Sequence, residues 1–225
     1  MSRQLAFDIP PLSALRRADF FASPANAEAL AVIEDWPRWP NGRMLLVGPE
    51  GTGKTHLAHI WADQTGAEMV AASDLPQLDL PRLAATRAVV IEDAHRIGGT
   101  RAMETALFHL YNLIRGKARL LITATTPPRD WGMILPDLQS RMQATGLTRL
   151  NPPDDALLSG VLVKLFADRQ IKVPPNLITY LLQRMDRSIA VARDLVAALD
   201  ARSLAEHRPV TRAMAADLLD RAGPQ

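Results

Sequence analysis

Residues 48–55 read Gly-Pro-Glu-Gly-Thr-Gly-Lys-Thr and stand between a short apolar run, Met44–Val47, and a helical pattern that begins at Lys54. This order of strand, glycine-rich turn and helix is the context of a P-loop. Glycines let backbone N–H groups curl around a phosphate, and the start of the helix directs its positive dipole end at the same anion. The stretch therefore predicts a nucleotide-binding loop formed by Gly48, Gly51, Thr52, Gly53, Lys54 and Thr55.

Two carboxylates, Glu92 and Asp93, follow the β-branched apolar run 88–91. A run without alternation indicates a strand buried on both faces of a parallel sheet, and ligands bind at the carboxyl edge of such sheets. We expect Lys54 to reach the β- and γ-phosphates. We expect the Thr55 hydroxyl and Glu92 to hold Mg²⁺, and Asp93 to orient an attacking water. The alternative is that the two acids only cap a turn.

Five apolar segments alternate with helical patterns as far as residue 150, and only helical patterns follow. This order predicts an α/β domain with a five-stranded parallel sheet, followed by a small all-helical lid. The segment 151–154, Asn-Pro-Pro-Asp, is the best boundary, so we divide the chain into 1–11, 12–151 and 152–225. A helix is expected from 25 to 36 with Ser23 as its N-cap. Thr125, at the end of the strand 119–126, either senses a γ-phosphate or is a solvated strand end.

The composition limits the classes of function. Hydrophobic residues make up 48% of the 225 residues, the net charge is +2, and no dense basic run or basic patch interleaved with aromatic residues is visible. We therefore expect no dedicated DNA-binding face. The absence of cysteine excludes disulfides and fits a reducing cytoplasm. No stretch reaches membrane-spanning length and no signal-peptide core is visible, so we expect a cytoplasmic protein with no membrane partner.

Near the N-terminus, apolar side chains recur at every second position, at Leu5, Phe7 and Ile9. Two interpretations stay open for this segment. It is a loose terminus or edge strand, which is the commoner case, or it is an extended peptide that docks into the apolar pockets of a partner while Gln4 fixes the register.

The succession of these motifs resembles the AAA+ ATPases, and in detail the bacterial replication initiator DnaA. The matching segments are Gly51–Leu57, Phe20–Asn26, Val89–Asp93, Thr123–Thr125, Gln139–Arg141 and Val191–Leu195. The resemblance covers about residues 18–223, without the helix-turn-helix domain or the helicase-loading domain of DnaA. It implies ADP or ATP with Mg²⁺ as cofactors. It also implies that Arg141 is an arginine finger presented to a neighbour's nucleotide, and that Arg193 contacts the phosphates bound by its own chain.

Residues 4–9, Gln-Leu-Ala-Phe-Asp-Ile, resemble the motif by which bacterial proteins bind the β sliding clamp of DNA polymerase III. A DnaA-type core with such a tail is similar to the Hda (HdaA) family. Members of that family bind the clamp and stimulate hydrolysis of DnaA-bound ATP, which stops replication initiation. The resemblance implies the clamp and DnaA as partners, DNA only through the clamp, and a possible homodimer. The alternative is an ATPase that loads helicases or transposases, similar to DnaC and IstB.

The acidic pair departs from the family pattern, which ends in Asp-Glu or, in DnaA, Asp-Asp. Here the order is Glu92-Asp93, so the acid on the metal side is one methylene longer. Because positioning errors of about 1 Å can cost a hundred-fold in rate, we expect good nucleotide binding and slow turnover by this chain itself.

Overall fold

The computed structural model describes residues 17–222. The clamp-like segment with Gln4, Leu5, Phe7 and Ile9 therefore lies outside the described residues. The strands are β1 (Arg43–Val47), β2 (Glu68–Ala71), β3 (Ala88–Glu92), β4 (Arg119–Ala124) and β5 (Gly146–Arg149). The helices are α1 (Ala27–Glu34), α2 (Lys54–Thr65), α3 (Leu80–Ala84), α4 (Arg101–Leu113), α5 (Pro136–Gln143), α6 (Asp155–Asp168), α7 (Pro175–Arg184), α8 (Ile189–Glu206) and α9 (Arg212–Ala222).

The five strands form one parallel sheet in the order β2-β3-β4-β1-β5. Successive side chains of each central strand enter different cores, because a strand points them to opposite faces. In β1, Leu45 and Val47 join the cluster that contains α4, whereas Met44 and Leu46 join the cluster that contains α2. Helices therefore cover both faces, which confirms the α/β fold with a five-stranded parallel sheet.

The four helices that follow the sheet have a core of their own. A third hydrophobic cluster consists only of residues from 158 to 219, with Phe166, Leu181 and Val196 almost completely buried. On α8, Ala192, Val196 and Leu199 are fully buried and face this core. The helical region after the α/β core, expected from the sequence, is therefore confirmed.

The entrance to α1 differs from the expectation. The helix begins at Ala27 with Asn26 at its N-cap position, not with Ser23. Asn26 is almost fully buried, and its side chain bridges two parts of the preceding loop by accepting from Ser23 N–H and donating to the Phe21 carbonyl. Ser23 instead accepts from Ala25 N–H in a turn before the helix. Asn26 takes the N-cap position in place of Ser23 because its buried side-chain amide satisfies two hydrogen-bonding groups of the loop backbone.

Candidate nucleotide-binding site

A cavity of about 420 Å³ lies where the P-loop, the carboxyl ends of β3 and β4, and the helices α6 and α8 meet. The sheet positions it, because β1 and β4 pair side by side and deliver the P-loop and Thr125 to the same edge. Of the residues predicted from the sequence, seven line this cavity: Gly51, Gly53, Lys54, Thr55, Asp93, Thr125 and Arg193. Gly48, Thr52, Glu92 and Arg141 are not among the lining residues.

The P-loop presents unpaired backbone donors. Among the described residues, the N–H groups of Glu50, Gly51 and Gly53 find no hydrogen-bond acceptor. Gly51 and Gly53 have φ of +71° and +96°, a region that glycine enters without steric cost. Thr52 is buried and donates its hydroxyl hydrogen bond to the Pro49 carbonyl, 2.9 Å away, which fixes the shape of the loop. A ring of free N–H groups around a cavity suits a phosphate.

Lys54 carries a buried positive charge whose hydrogen-bond partners in the described chain are neutral. Its side chain is only 7% exposed, and Nζ donates to the carbonyls of Gly48 and Pro49 at 2.7 and 2.8 Å. Burial lowers the pKa of the ammonium group, and nearby carboxylates, of which Asp93 has the largest effect, partly oppose this. A buried ammonium held by carbonyl dipoles is the group that a nucleotide phosphate would compensate. The residues present therefore fit a nucleoside di- or triphosphate.

The end of β3 is held by contacts that the sequence did not reveal. Asp93 lies in the left-handed region, with φ of 56° and ψ of 40°, and its N–H donates to the buried Thr123 hydroxyl at 3.1 Å. His95 Nδ1 accepts from Thr125 N–H at 3.4 Å. Burial is the main cause that lowers the pKa of His95 below its ordinary value of 6.5. These two bonds connect the ends of β3 and β4, so Asp93 and Thr125 face the cavity together.

The acidic pair is divided between two environments. Asp93 lines the cavity, and Arg96 Nε lies 3.8 Å from one of its carboxylate oxygens. Glu92 is half-buried at the last position of β3, one residue behind the cavity wall. Among residues 17–222 no three His, Asp or Glu side chains converge to hold a metal ion alone. Mg²⁺ would therefore depend on phosphate oxygens with Thr55 and one carboxylate, as is usual for this ion.

The lid is bonded directly to the P-loop. Ile189 N–H, at the start of α8, donates to the Gly51 carbonyl at 2.7 Å. A Cβ added to Gly51 would stand 1.8 Å from the Ser188 hydroxyl oxygen, so the two segments are in close contact. Lys164 of α6 bonds Asp19 at 2.9 Å, which ties a second lid helix to the segment before α1. These partners lie far apart in the sequence, and no local pattern marks them.

Arg193 is exposed on α8, lines the cavity, and has no hydrogen bond or ion pair with any residue of the described part. Phe20 packs edge-on against the ring of His56 on α2, with centroids 5.2 Å apart, and forms the wall next to the P-loop helix. The cavity thus has a cationic side chain on the lid and an aromatic wall near the segment 20–26. This arrangement can hold a phosphorylated ligand that also has a flat, apolar part.

Arg141 lies outside this cavity, at the end of α5. Its guanidinium rests 4.7 Å from the Phe108 ring centre and donates to the side-chain carbonyl of Asn112. It lines a second and larger groove, of about 1,040 Å³, at the other edge of the sheet, where β1, β3 and β4 begin. The structure therefore brings together most of the predicted nucleotide ligands and keeps the predicted arginine finger away from them.

A parallel sheet with a P-loop, an acidic strand end and a helical region at its carboxyl edge defines a P-loop nucleotide-binding protein. The model of the ATPase family associated with various cellular activities (AAA) matches residues 44–193, so the chain belongs to this family. Family membership implies nucleotide binding.

Solved structures show the same fold. Domain III of the replication initiation protein DnaA from Thermotoga maritima is 18% identical with a TM-score of 0.79, covering 92% of this chain and 96% of that one. AMPPCP-bound DnaA from Aquifex aeolicus is 14% identical with a TM-score of 0.72, covering 85% and 67%. The RuvB Holliday junction branch migration motor of Thermotoga maritima is 19% identical with a TM-score of 0.67, covering 91% and 71%. In the described chain no helix is both long and apolar enough to cross a bilayer.

Proposed function

We propose that this chain is a regulator of replication initiation of the Hda type. It binds ADP or ATP with Mg²⁺ in the cavity at the P-loop, binds the β sliding clamp through residues 4–9, and stimulates hydrolysis of ATP bound to DnaA. DNA is reached through the clamp. The similarity of fold to DnaA structures supports the choice of DnaA as the partner.

The observation that carries the proposal is the position of Arg141. This arginine lines the large groove instead of its own chain's nucleotide cavity, and it makes no ion pair with any described residue. The stacked ring of Phe108 and the Asn112 amide hold the guanidinium without neutralising it. A planar cation held in this way is available to a nucleotide on a second protein. In trans it would stabilise the charge on the transferring phosphoryl group, which is worth about a thousand-fold or more in rate.

The chain's own nucleotide has a conformational role in this proposal. Lys54 and the free P-loop amides hold the phosphates, Thr55 and Glu92 contribute to the Mg²⁺ site, and Asp93 faces the position of a water. Arg193 and the bond from Ile189 to Gly51 connect the lid to the same phosphates, so the angle of the lid follows the ligand. We further propose that the chain is divided at 151/152, because the third hydrophobic core includes only residues beyond that point.

The experiment is hydrolysis of labelled ATP on purified DnaA, with this protein, the clamp and primed DNA. Wild type is compared with Gln4→Ala, Arg141→Ala and Arg141→Lys, and Arg129→Ala serves as an exposed-arginine control. We expect stimulation to require the clamp and to fall at least a hundred-fold in Arg141→Ala, with little rescue by lysine because the planar fork is lost. Arg129→Ala should behave as wild type.

Stimulation that is unaffected by Arg141→Ala would refute the role of this residue. The second candidate, an independent ATPase or loader similar to DnaC and IstB, is favoured by one observation: Asp93 and Thr125 both face the chain's own cavity. ATP turnover by this chain alone, abolished by Asp93→Asn and independent of DnaA and Gln4, would support that candidate instead.

A further inference from the structure

The large groove at the amino-terminal edge of the sheet has an unusual charge. Its described lining contains no aspartate or glutamate. It contains six cationic side chains, brought together from four separate parts of the sequence: Arg43, Arg87, Arg115, Lys117, Arg119 and Arg141. The whole chain has 26 basic and 24 acidic residues, so this grouping is a local feature of the fold.

These cations lack ionic partners. None of the six forms a salt bridge with a described residue, whereas arginines elsewhere do; Arg202, for example, lies between Glu206 and Asp217 at 2.7 and 2.9 Å. Six like charges around one groove repel one another, and this repulsion is relieved when an anion enters. The groove is therefore electrostatically suited to a ligand with several negative charges.

Arg43 gives a second and independent indication. Its side chain is only 6% exposed, its Nη2 donates to the Tyr111 carbonyl at 2.9 Å, and its guanidinium stacks 3.6 Å from the Tyr111 ring centre. Its Nε, however, has no hydrogen-bond partner in the structure. A cation this deeply buried without a counter-ion is costly, and an anionic oxygen at the floor of the groove would offset that cost.

Aromatic surface accompanies the charge. Trp36 is half-buried at the rim, with the guanidinium of Arg119 5.8 Å from its ring centre. Trp39 also lines the groove, but it is buried and stacks on the fully buried Trp61 with ring centroids 5.2 Å apart, so Trp36 is the tryptophan of the described lining that offers ring surface to a ligand. Cationic side chains that follow a phosphate backbone, next to aromatic rings that accept bases, characterise proteins that bind single-stranded nucleic acid.

We propose that this groove binds single-stranded nucleic acid directly. A single strand supplies one phosphate per nucleotide, so a short segment can meet several of the six cations at once. A duplex carries its phosphates on the outside of a wide cylinder and cannot reach Arg43 at the buried floor. The proposal goes beyond the regulation of DnaA, because it requires neither the clamp nor a second AAA protein, and it adds a direct contact to a function in which DNA is reached only through the clamp.

The test uses the double variant Arg115→Gln/Lys117→Gln. Both residues are exposed and flank Gly116, so their replacement leaves the cores intact. The matched control is Arg101→Gln/Lys172→Gln, which removes the same charges from exposed residues outside the groove. Binding of a fluorescent oligothymidylate of about 15 nucleotides is followed by anisotropy in the full chain with Mg-ADP present, over a series of salt concentrations.

We expect the groove variant to bind roughly tenfold more weakly at low salt. The slope of log K against log salt should decrease in magnitude by about 1.4, because each phosphate contact on a single strand contributes about 0.7. The control should keep the wild-type slope. Absence of binding by wild type, or equal weakening in the control, would overturn the proposal.

Two competitor arms distinguish other ligands. A duplex of the same sequence should compete poorly; if it binds as tightly as the single strand, the assignment of single-stranded nucleic acid is wrong. Inorganic tripolyphosphate should compete only weakly at equal phosphate concentration. If it displaces the oligonucleotide as well as unlabelled oligothymidylate does, the groove takes small polyanions, and the nucleic-acid proposal is wrong.

Discussion

The buried carboxylate of Glu104 makes a quantitative prediction possible. Glu104 lies in α4, is 0% exposed, and accepts hydrogen bonds from three backbone N–H groups. Oε1 is 2.9 Å from Gly99 N, Oε2 is 2.8 Å from Leu135 N, and Ile134 N lies 3.0 Å from both oxygens. Leu135 immediately precedes α5, so this side chain fixes the start of the helix that carries Arg141.

Glu104→Gln removes the charge and replaces one oxygen with an NH₂ group. If the remaining side-chain oxygen still accepts the hydrogen bond from Gly99 N–H, the new NH₂ group faces the Leu135 N–H, and two donors then oppose each other. Ile134 N–H keeps only one of its two acceptor oxygens. A hydrogen bond to a charged group contributes about 1.5–3 kcal/mol, and an unpaired buried donor costs about 1–3 kcal/mol. We therefore expect the free energy of unfolding to fall by roughly 3–5 kcal/mol, a large part of the usual 5–15 kcal/mol.

Urea unfolding followed by tryptophan fluorescence measures this change, with Glu34→Gln as the control. Glu34 pairs with Arg17 at 2.6 Å, but both side chains are more than 40% exposed. Its loss should cost less than about 1 kcal/mol. A decrease of under about 1 kcal/mol in Glu104→Gln, at an unchanged m-value, would refute the argument that this carboxylate holds the loop before α5.

Three further predictions concern the site and the lid. Gly51→Ala should weaken binding of a fluorescent ADP analogue at least tenfold, because the added Cβ would collide with the Ser188 hydroxyl. The control is Gly66→Ala, which should keep wild-type affinity, because Gly66 has a similar φ of +68° but no atom lies within 4 Å of the position of its Cβ. If both variants bind equally, the contact between the lid and the P-loop has no role in affinity. The folded-state pKa of His95 lies below its ordinary value of 6.5, so the unfolded state takes up the proton first. The free energy of unfolding should then decrease as the pH falls below about 6.5. His95→Asn keeps a hydrogen-bond acceptor at this position, so its free energy of unfolding, measured by denaturation at about pH 7.5 and about pH 5.5, should differ less between the two pH values. The same pH dependence in wild type and variant would contradict the assignment to His95. Phe166→Ala should cost roughly 3–5 kcal/mol and speed hydrogen exchange in 155–222 while the sheet stays protected; uniform acceleration would contradict a separate lid.

The sequence predicted the fold well because its signals are local. The glycine spacing of the P-loop, the unbroken apolar runs of the central strands and the prolines at 152 and 153 act through neighbouring residues. Each of these elements lies within a few residues of its predicted position. The short helix α3 shows the limit, since it spans only Leu80–Ala84 and begins after Asp79, whose side chain accepts a hydrogen bond from Arg82 N–H.

Long-range contacts could not be predicted in this way. Thr123 and His95 are separated from their partners by 30 residues, and Ile189 is much further from Gly51. The cationic groove is a similar case. The sequence places three of its six cations together in the short segment 115–119, whereas the fold brings Arg43, Arg87 and Arg141 to the same groove from distant positions. Such a surface becomes visible only when the order of the strands is known.

The bond between Ile189 N–H and the Gly51 carbonyl has a consequence for how this protein tolerates sequence change. Both atoms belong to the main chain, so almost any side chain at position 189 leaves the link in place. Proline is the exception, because it alone lacks the N–H group, and it also suits the first position of a helix. The preceding Ser188 is already extended, with φ of −142° and ψ of 131°, as a residue before proline prefers. A single proline at position 189 would thus remove the main-chain link between the lid and the P-loop while leaving the backbone path of the lid intact, whereas a change of side chain at that position leaves both atoms of the link in the chain.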